Sequence, residues 1–201
     1  MKVALFGGAF DPPHIGHTLV ADQLVATQTV DEVWFVPVFT HPWAASLGKF
    51  HLTAYETRLE MVRAILGDHQ NVAEFRQVSY TYPTLEFFSQ KNPEITFSWV
   101  MGSEYVAKFQ TFLELHPGLS EYQFYIYPRA GFLVHPQALY PNMELCHHVP
   151  EIVLSSTIVR EAVKEEWPRN KVAELVKPAV LAIIEREGLY RLPQLSQPKS
   201  N

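Results

Sequence analysis

The sequence predicts an α/β protein with a doubly wound parallel sheet and a small helical part at its C-terminal end. Short apolar runs without polar alternation recur along the chain, as expected of parallel strands covered on both faces. Helical patterns separate these runs, which is the order of βαβ units. From Ser155 onward only helical patterns follow. We therefore expect a sheet flanked by helices, with a helical part added from about residue 155.

Apolar runs bounded by turn residues define the predicted strands. The first, residues 2–6, and the second, Glu32–Pro37, are nearly continuous in apolar side chains. The full set of predicted strands is 2–6, 32–37, 71–75, 96–101 and 121–127, with the last strand material at 144–149 and 152–154.

Apolar residues at helical spacing mark the segments between these strands. The predicted helices are about 15–28, 54–66, 84–91, 105–115, 156–166, 170–176 and 178–187. Residues 38–52 and 79–84 are predicted to be loops, with Pro83 tolerated in the first turn of the helix that follows. Residues 1–191 are predicted to form a single domain, and the proline-rich polar stretch 192–201 a loose tail.

Composition excludes several classes of protein. The 201 residues are 47% hydrophobic and 18% charged, which is typical of a globular chain. The formal net charge of −5 and the lack of a basic stripe argue against a general nucleic-acid-binding protein. Cys146 is the only cysteine, so no intramolecular disulfide can form. No apolar run approaches about 18 residues, so we expect a cytoplasmic protein that does not span a membrane.

The stretch from Gly7 to His17 predicts a phosphate-binding site. It reads Gly7-Gly8-Ala9-Phe10-Asp11-Pro12-Pro13-His14-Ile15-Gly16-His17 and lies between the first strand and the first helix. Backbone N–H groups at a glycine turn and a helix N-terminus attract anions. His14 and His17 are three residues apart on one helical face, so both imidazoles can meet the same phosphoryl group.

A second stretch near the C-terminal end has similar chemistry. Ser155, Ser156 and Thr157 supply hydroxyl groups at the start of a predicted helix, whose free N–H groups favour an anion. Arg160 follows Ser156 by four residues and lies on the same face, where its guanidinium can bind a phosphate through two hydrogen bonds.

Together the two motifs resemble the signatures of the nucleotidylyltransferase superfamily. The segments Ser79–Thr81, Thr84–Leu85, Gly102–Glu104 and Gly188–Tyr190 are similar to those of bacterial nicotinate-mononucleotide adenylyltransferases. The resemblance runs from about Lys2 to Arg191. It implies a Rossmann-like nucleotidyltransferase fold and an enzyme of NAD biosynthesis that joins ATP, with Mg²⁺, to nicotinate mononucleotide. The products would be deamido-NAD and pyrophosphate.

The resemblance also implies roles for individual residues. The catalytic group comprises His14, His17, Lys49 and Arg160. The ATP-binding group adds Gly7, Gly8, Ala9, Phe10, Gly102, Ser155, Ser156 and Thr157. The mononucleotide-binding group comprises Lys49, Tyr80, Thr81, Thr84, Glu104 and Phe112. No resident metal site is expected, because adjacent residues such as Cys146-His147-His148 point to opposite faces of a strand.

Three positions depart from the family pattern and leave alternatives open. The family commonly has threonine where this chain has Ala9, aspartate at Glu104 and tryptophan at Phe112. Two of these lie among the residues expected to bind the mononucleotide, so the same chemistry on nicotinamide mononucleotide or another phosphorylated acceptor is an alternative. A non-catalytic nucleotide-binding sensor is the alternative from another class. The expected partners are ATP and a pyridine mononucleotide, and the sequence is compatible with a homo-oligomer.

Overall fold

A parallel sheet forms the centre of the protein in the computed structural model, which describes residues 1–40 and 52–191. The strands run β1 (Lys2–Gly8), β2 (Glu32–Pro37), β3 (Gln70–Val72), β4 (Thr96–Gly102), β5 (Gln123–Tyr127) and β6 (Met143–Leu145). Their order across the sheet is β3-β2-β1-β4-β5-β6, and every neighbouring pair is parallel. The predicted doubly wound parallel sheet is confirmed.

Helices cover both faces of this sheet. They are α1 (Ile15–Ala26), α2 (Tyr55–Arg63), α3 (Thr81–Lys91), α4 (Phe109–Leu115), α5 (Ser156–Lys164), α6 (Arg169–Ala173) and α7 (Pro178–Glu187). Short 3-10 helices span Ser103–Lys108, Pro117–Glu121 and Pro136–Ala138. Within the described residues, no helix combines the length and the apolar character that crossing a membrane requires.

Strand β1 explains why the strands look continuously apolar in the sequence. Its alternate residues enter two different cores: Ala4 and Phe6 pack into one cluster, and Val3 and Leu5 into the other. The first cluster includes residues of α1, α5 and α7, and the second residues of α3 and α4. Because both faces of the strand are buried, no polar alternation remains.

Several predicted boundaries are wrong by a few residues. Helix α3 begins at Thr81 rather than at 84, because Pro83 is accommodated within its first turn. The predicted helix 105–115 is divided into a 3-10 helix and α4, which begins at Phe109. The last strand is Met143–Leu145, and a turn closed by Val149 N–H to Cys146 O follows it. Ile152 forms only an isolated bridge with Arg129.

Strand order determines where a ligand can enter. The chain passes from β1 outward to β2 and β3, and then returns to place β4 on the other side of β1. The connection that follows β1 and the connection that follows β4 therefore run in opposite directions across the sheet. Between them they leave a crevice at the carboxyl ends of these two strands. Gly8 and Gly102 are the last residues of these two strands.

Candidate active site

The glycines at the end of β1 provide space for neighbouring rings. A Cβ atom on Gly7 would overlap the Trp99 ring, and one on Gly8 would lie 2.9 Å from Cζ of Phe10. Neither glycine has a positive φ, so it is the missing side chain that these positions use. Phe10 itself has the left-handed backbone, with φ of 49°. Its buried ring contacts Phe6 and Phe35 edge-on, which holds this unfavourable conformation in place.

The two predicted histidines lie together at the start of α1. Their rings stack with centroids 3.7 Å apart and an angle of 28° between planes. The backbone N–H of His14 donates to Nδ1 of His17 at 3.1 Å, so a neutral His17 carries its proton on Nε2. Gly16 makes room for this arrangement, because a Cβ there would lie 3.0 Å from Nδ1 of His14.

Burial keeps both imidazoles neutral. His14 is only 2% exposed, and loss of solvation together with the nearby Arg129 charge lowers its pKa to about 3. Burial, followed by the charges of His14 and Arg129, lowers the pKa of His17 well below its ordinary value. At neutral pH the pair therefore presents N–H donors without a full charge. An anion beside the rings would raise both pKa values and strengthen its own binding.

The second predicted motif contacts the first directly. Residues 9–14, which we call the motif loop, accept hydrogen bonds from α5: Ser156 Oγ donates to the Pro12 carbonyl, and Arg160 donates to the Asp11 carbonyl, both at 2.8 Å. Ser155 caps α5 by accepting from the Ile158 N–H at 3.3 Å. The structure thus brings together two motifs that are about 140 residues apart.

Arg129 lies close enough to the histidines to affect their pKa values, and it pairs with Glu104. The Arg129 guanidinium donates to the Leu154 carbonyl at 2.8 Å and approaches Oε1 of Glu104 at 3.6 Å. Oε2 of Glu104 is buried and has no hydrogen-bond partner among the described residues. A Cβ on Gly102 would meet this carboxylate, so a side chain there would require the Glu104 carboxylate to move. No motif in the sequence pointed to Arg129. It follows β5 by two residues, and only the fold shows that this brings it near the histidines.

Arg58 is a second functional candidate that sequence reasoning missed. It is 1% exposed, and its guanidinium donates to the carbonyls of Thr53, Ala9 and Val38 at 2.9, 2.7 and 2.7 Å. It therefore joins the motif loop to the segments that follow β2 and precede α2. An arginine beside Leu59 on the buried side of an amphipathic helix was the available signal.

Asp11 connects the motif loop to the end of the described chain. Its Oδ1 accepts from the Tyr190 hydroxyl at 2.7 Å, and its Oδ2 accepts from the Thr53 N–H at 3.1 Å. Burial and the Asp11 carboxylate raise the pKa of Tyr190, so the phenol remains a donor at neutral pH.

A cavity of about 490 Å³ opens at the carboxyl ends of β1 and β4. We call it the central cavity. Many of the residues that the sequence predicted for nucleotide binding line it: Gly7, Gly8, Ala9, Tyr80, Thr81, Thr84, Gly102 and Phe112. Glu104 does not line it and instead faces Arg129. Lys49 lies outside the described residues.

Comparisons with known proteins agree with this geometry. The family model for cytidylyltransferase-like proteins matches residues 5–162. A "Probable nicotinate-nucleotide adenylyltransferase" of Halalkalibacterium halodurans is 31% identical, with 100% of this chain and 99% of the relative covered. The protein of the same name from Shouchella clausii is 32% identical, over 94% of this chain and 96% of the relative.

A solved structure has the same fold. Nicotinic acid mononucleotide adenylyltransferase of Plasmodium falciparum, complexed with NaAD, superposes with a TM-score of 0.79 and 21% identity, over 94% of this chain and 97% of that one. With the two motifs in contact beside the central cavity, and with relatives above 30% identity along the whole chain, the family is established. The chain belongs to the cytidylyltransferase-like proteins and, among them, to the nicotinate-nucleotide adenylyltransferases.

Proposed function

We propose that the protein transfers the adenylyl group of ATP to nicotinate mononucleotide, giving deamido-NAD and pyrophosphate. One observation carries this proposal: α5 is hydrogen-bonded to the motif loop, which leads into α1 with the stacked His14 and His17, and Ala9 of the same loop lines the central cavity. In this proposal, donors for a triphosphate adjoin a compartment that is large enough for a second nucleotide.

The chemical step is an in-line displacement at phosphorus. A phosphate oxygen of the mononucleotide forms a bond to the α-phosphorus of ATP, and the bond from that phosphorus to the bridging oxygen breaks. Pyrophosphate leaves with the electron pair. Because no covalent intermediate is needed, the enzyme acts by positioning the reactants and stabilising the developing charge.

His17 and Arg160 stabilise different parts of the ATP phosphates in this proposal. The Nε2–H of His17, set by the hydrogen bond to Nδ1, donates to an oxygen on the α-phosphorus. Arg160 and the N-terminus of α5, with Ser155, Ser156 and Thr157, bind the departing pyrophosphate. Arg160 gives up its bond to the Asp11 carbonyl when phosphate arrives. We keep Lys49 as a further phosphate contact.

Mg²⁺ enters this site as a complex with ATP in the proposal. Magnesium is commonly held by substrate phosphates and at most one or two carboxylates. Across residues 1–40 and 52–191 there is no group of three or more histidine, cysteine, aspartate or glutamate side chains that could hold a metal ion. The basic and hydroxyl donors of the two motifs suit the phosphate oxygens rather than the cation.

The central cavity receives the pyridine mononucleotide. Phe112 offers the ring on which pyridine stacks, in the position where the family commonly has tryptophan. Helix α3 begins against the cavity at Thr81, and the free N–H groups of its first turn favour an anionic group on the acceptor. We further propose that residues 1–191 act as one domain, because Tyr190 is bonded to Asp11 of the motif loop.

The test measures pyrophosphate release from Mg·ATP with each candidate acceptor in turn. We expect release with nicotinate mononucleotide and much less with nicotinamide mononucleotide. Preference for nicotinamide mononucleotide would show that the proposed acceptor is wrong, while adenylyl transfer as the reaction would stand. Binding of ATP without release with any acceptor would instead identify a nucleotide sensor.

A further inference from the structure

The central cavity has an unusual distribution of charge. Of the described residues that line it, Lys108 is the one with a fixed charge, and none is an aspartate or a glutamate. The Lys108 ammonium makes no ion pair or hydrogen bond within the described parts of the chain, and the residue is exposed. The other basic nitrogen group in the lining belongs to His116, whose ring is stacked on Tyr82 with centroids 5.5 Å apart. A single positive charge therefore faces the cavity without a protein partner.

Lys108 shares a helical face with the ring expected to hold the pyridine. It directly precedes α4, and Thr111, Phe112 and Leu115 follow it by three, four and seven residues. All four residues line the central cavity. Side chains at this spacing are neighbours on one side of a helix. Lys108 and Phe112 are therefore about one helical turn apart along the chain and line the same cavity, which allows the long lysine side chain to reach a ring stacked on Phe112.

A charge in this position acts differently on the two pyridine mononucleotides. In both, the ring nitrogen that bears the ribose is positively charged. In the acid a carboxylate balances that charge, whereas in the amide the ring remains cationic. An ammonium beside the ring attracts the carboxylate and repels the uncompensated ring, so it favours one ligand and disfavours the other. The 5′-phosphate is identical in both and cannot contribute to the difference.

We propose that Lys108 is a specificity residue that selects the nicotinate over the nicotinamide mononucleotide. This inference rests on the proposed function. It assigns the choice of acceptor to one side chain, at the residue that directly precedes α4 and lines the cavity, separate from the motifs that bind ATP.

The test compares kcat/KM for both mononucleotides at saturating Mg·ATP in Lys108→Gln and Lys108→Glu. For Lys108→Gln we expect about a tenfold loss with the nicotinate substrate, typical of one charge-assisted contact, and no loss with the amide. For Lys108→Glu we expect a larger loss with the acid and a gain with the amide. Lys164→Gln, which removes an exposed lysine at the far end of α5 from the second motif, is the matched control.

The outcomes separate this inference from the proposed function. Equal losses with both substrates would identify a phosphate contact and overturn the selectivity role, as would unchanged values in both variants. A wild-type protein that releases pyrophosphate with neither mononucleotide would overturn the proposed function, and the role of Lys108 with it. Thermal melting of each variant shows whether the substitution has altered folding, which we do not expect at an exposed position.

Discussion

The motif loop and the central cavity lie side by side and are built in opposite ways. Side chains from two helices hold the loop: Arg58, Ser156 and Arg160 donate to the carbonyls of three of its residues. The cavity is lined largely by aromatic and aliphatic side chains. The backbone of the motif loop is thus held in place by three side chains before substrate binds, whereas acceptor recognition depends on single side chains. Changes near the loop should affect turnover, and changes in the cavity should affect acceptor binding.

The sharpest test of this contrast is His17→Ala. Removing one donor from a preorganised site typically lowers the rate by about 10²–10³. We expect a loss of that size in kcat, with the fold retained, because α1 has its own packing against the sheet. The measurement is steady-state pyrophosphate release, with circular dichroism to verify folding.

His135→Ala is the control for this variant, because it removes an exposed histidine from a 3-10 helix cap. It should leave kcat unchanged. Near-wild-type turnover in a folded His17→Ala protein would contradict the role assigned to the motif.

A smaller effect is expected for Phe112→Ala in the cavity. Loss of a stacking surface commonly costs about 1–3 kcal/mol per base, so KM for the mononucleotide should rise by about tenfold or more. KM for ATP should stay the same. Phe112→Trp, which restores the common family residue, should lower KM for the mononucleotide.

Phe132→Ala serves as the comparison, since that ring is 51% exposed and does not line the central cavity. If Phe112→Ala changed kcat but not KM for the mononucleotide, the cavity would not serve acceptor binding alone. The proposed separation of roles between the motif loop and the central cavity would then be wrong.

The smallest effect is expected for Tyr190→Phe. This variant removes the hydroxyl that donates to Asp11 and leaves a buried carboxylate oxygen without that partner. The free energy of unfolding should fall by about 1–2 kcal/mol, while kcat changes by no more than a few-fold. Chemical denaturation measures the first quantity.

Tyr140→Phe makes the same substitution where the hydroxyl donates to Gln110 in an exposed pair. It should change stability by less than about 0.5 kcal/mol. An equal change in the free energy of unfolding in the two variants would show that the buried bond to Asp11 stabilises the protein no more than an exposed one.

The same contrast explains how much the sequence could predict. His14, His17, Ser156 and Arg160 were recognisable because a phosphate site needs those residue types at fixed local spacing. The family resemblance joined the two motifs in one function, but their direct contact came only from the structure. Arg58 and Arg129 were missed because their partners are mainly backbone carbonyls from distant segments, and carbonyls leave no trace in residue identity.

Errors in element boundaries have a similar origin. Pro83 suggested that a loop continues to residue 84, yet a proline fits the first turn of α3, which begins at Thr81. Apolar residues around Cys146 suggested a longer last strand, but tertiary contacts end β6 at Leu145. Composition cannot distinguish an apolar turn packed into a core from a strand.

The bond between Tyr190 and Asp11 has a consequence for synthesis of the protein. The two residues are 179 positions apart, and at about 5–20 residues per second a ribosome needs roughly 10–35 s to add the intervening chain. Strand β1 also waits for its second neighbour, since Lys2 pairs with Thr96 of β4. A nascent chain therefore carries the complete first motif long before the chain that completes its surroundings has been made. Until Thr96 has been added, the apolar β1 strand lacks one of its two neighbours in the sheet.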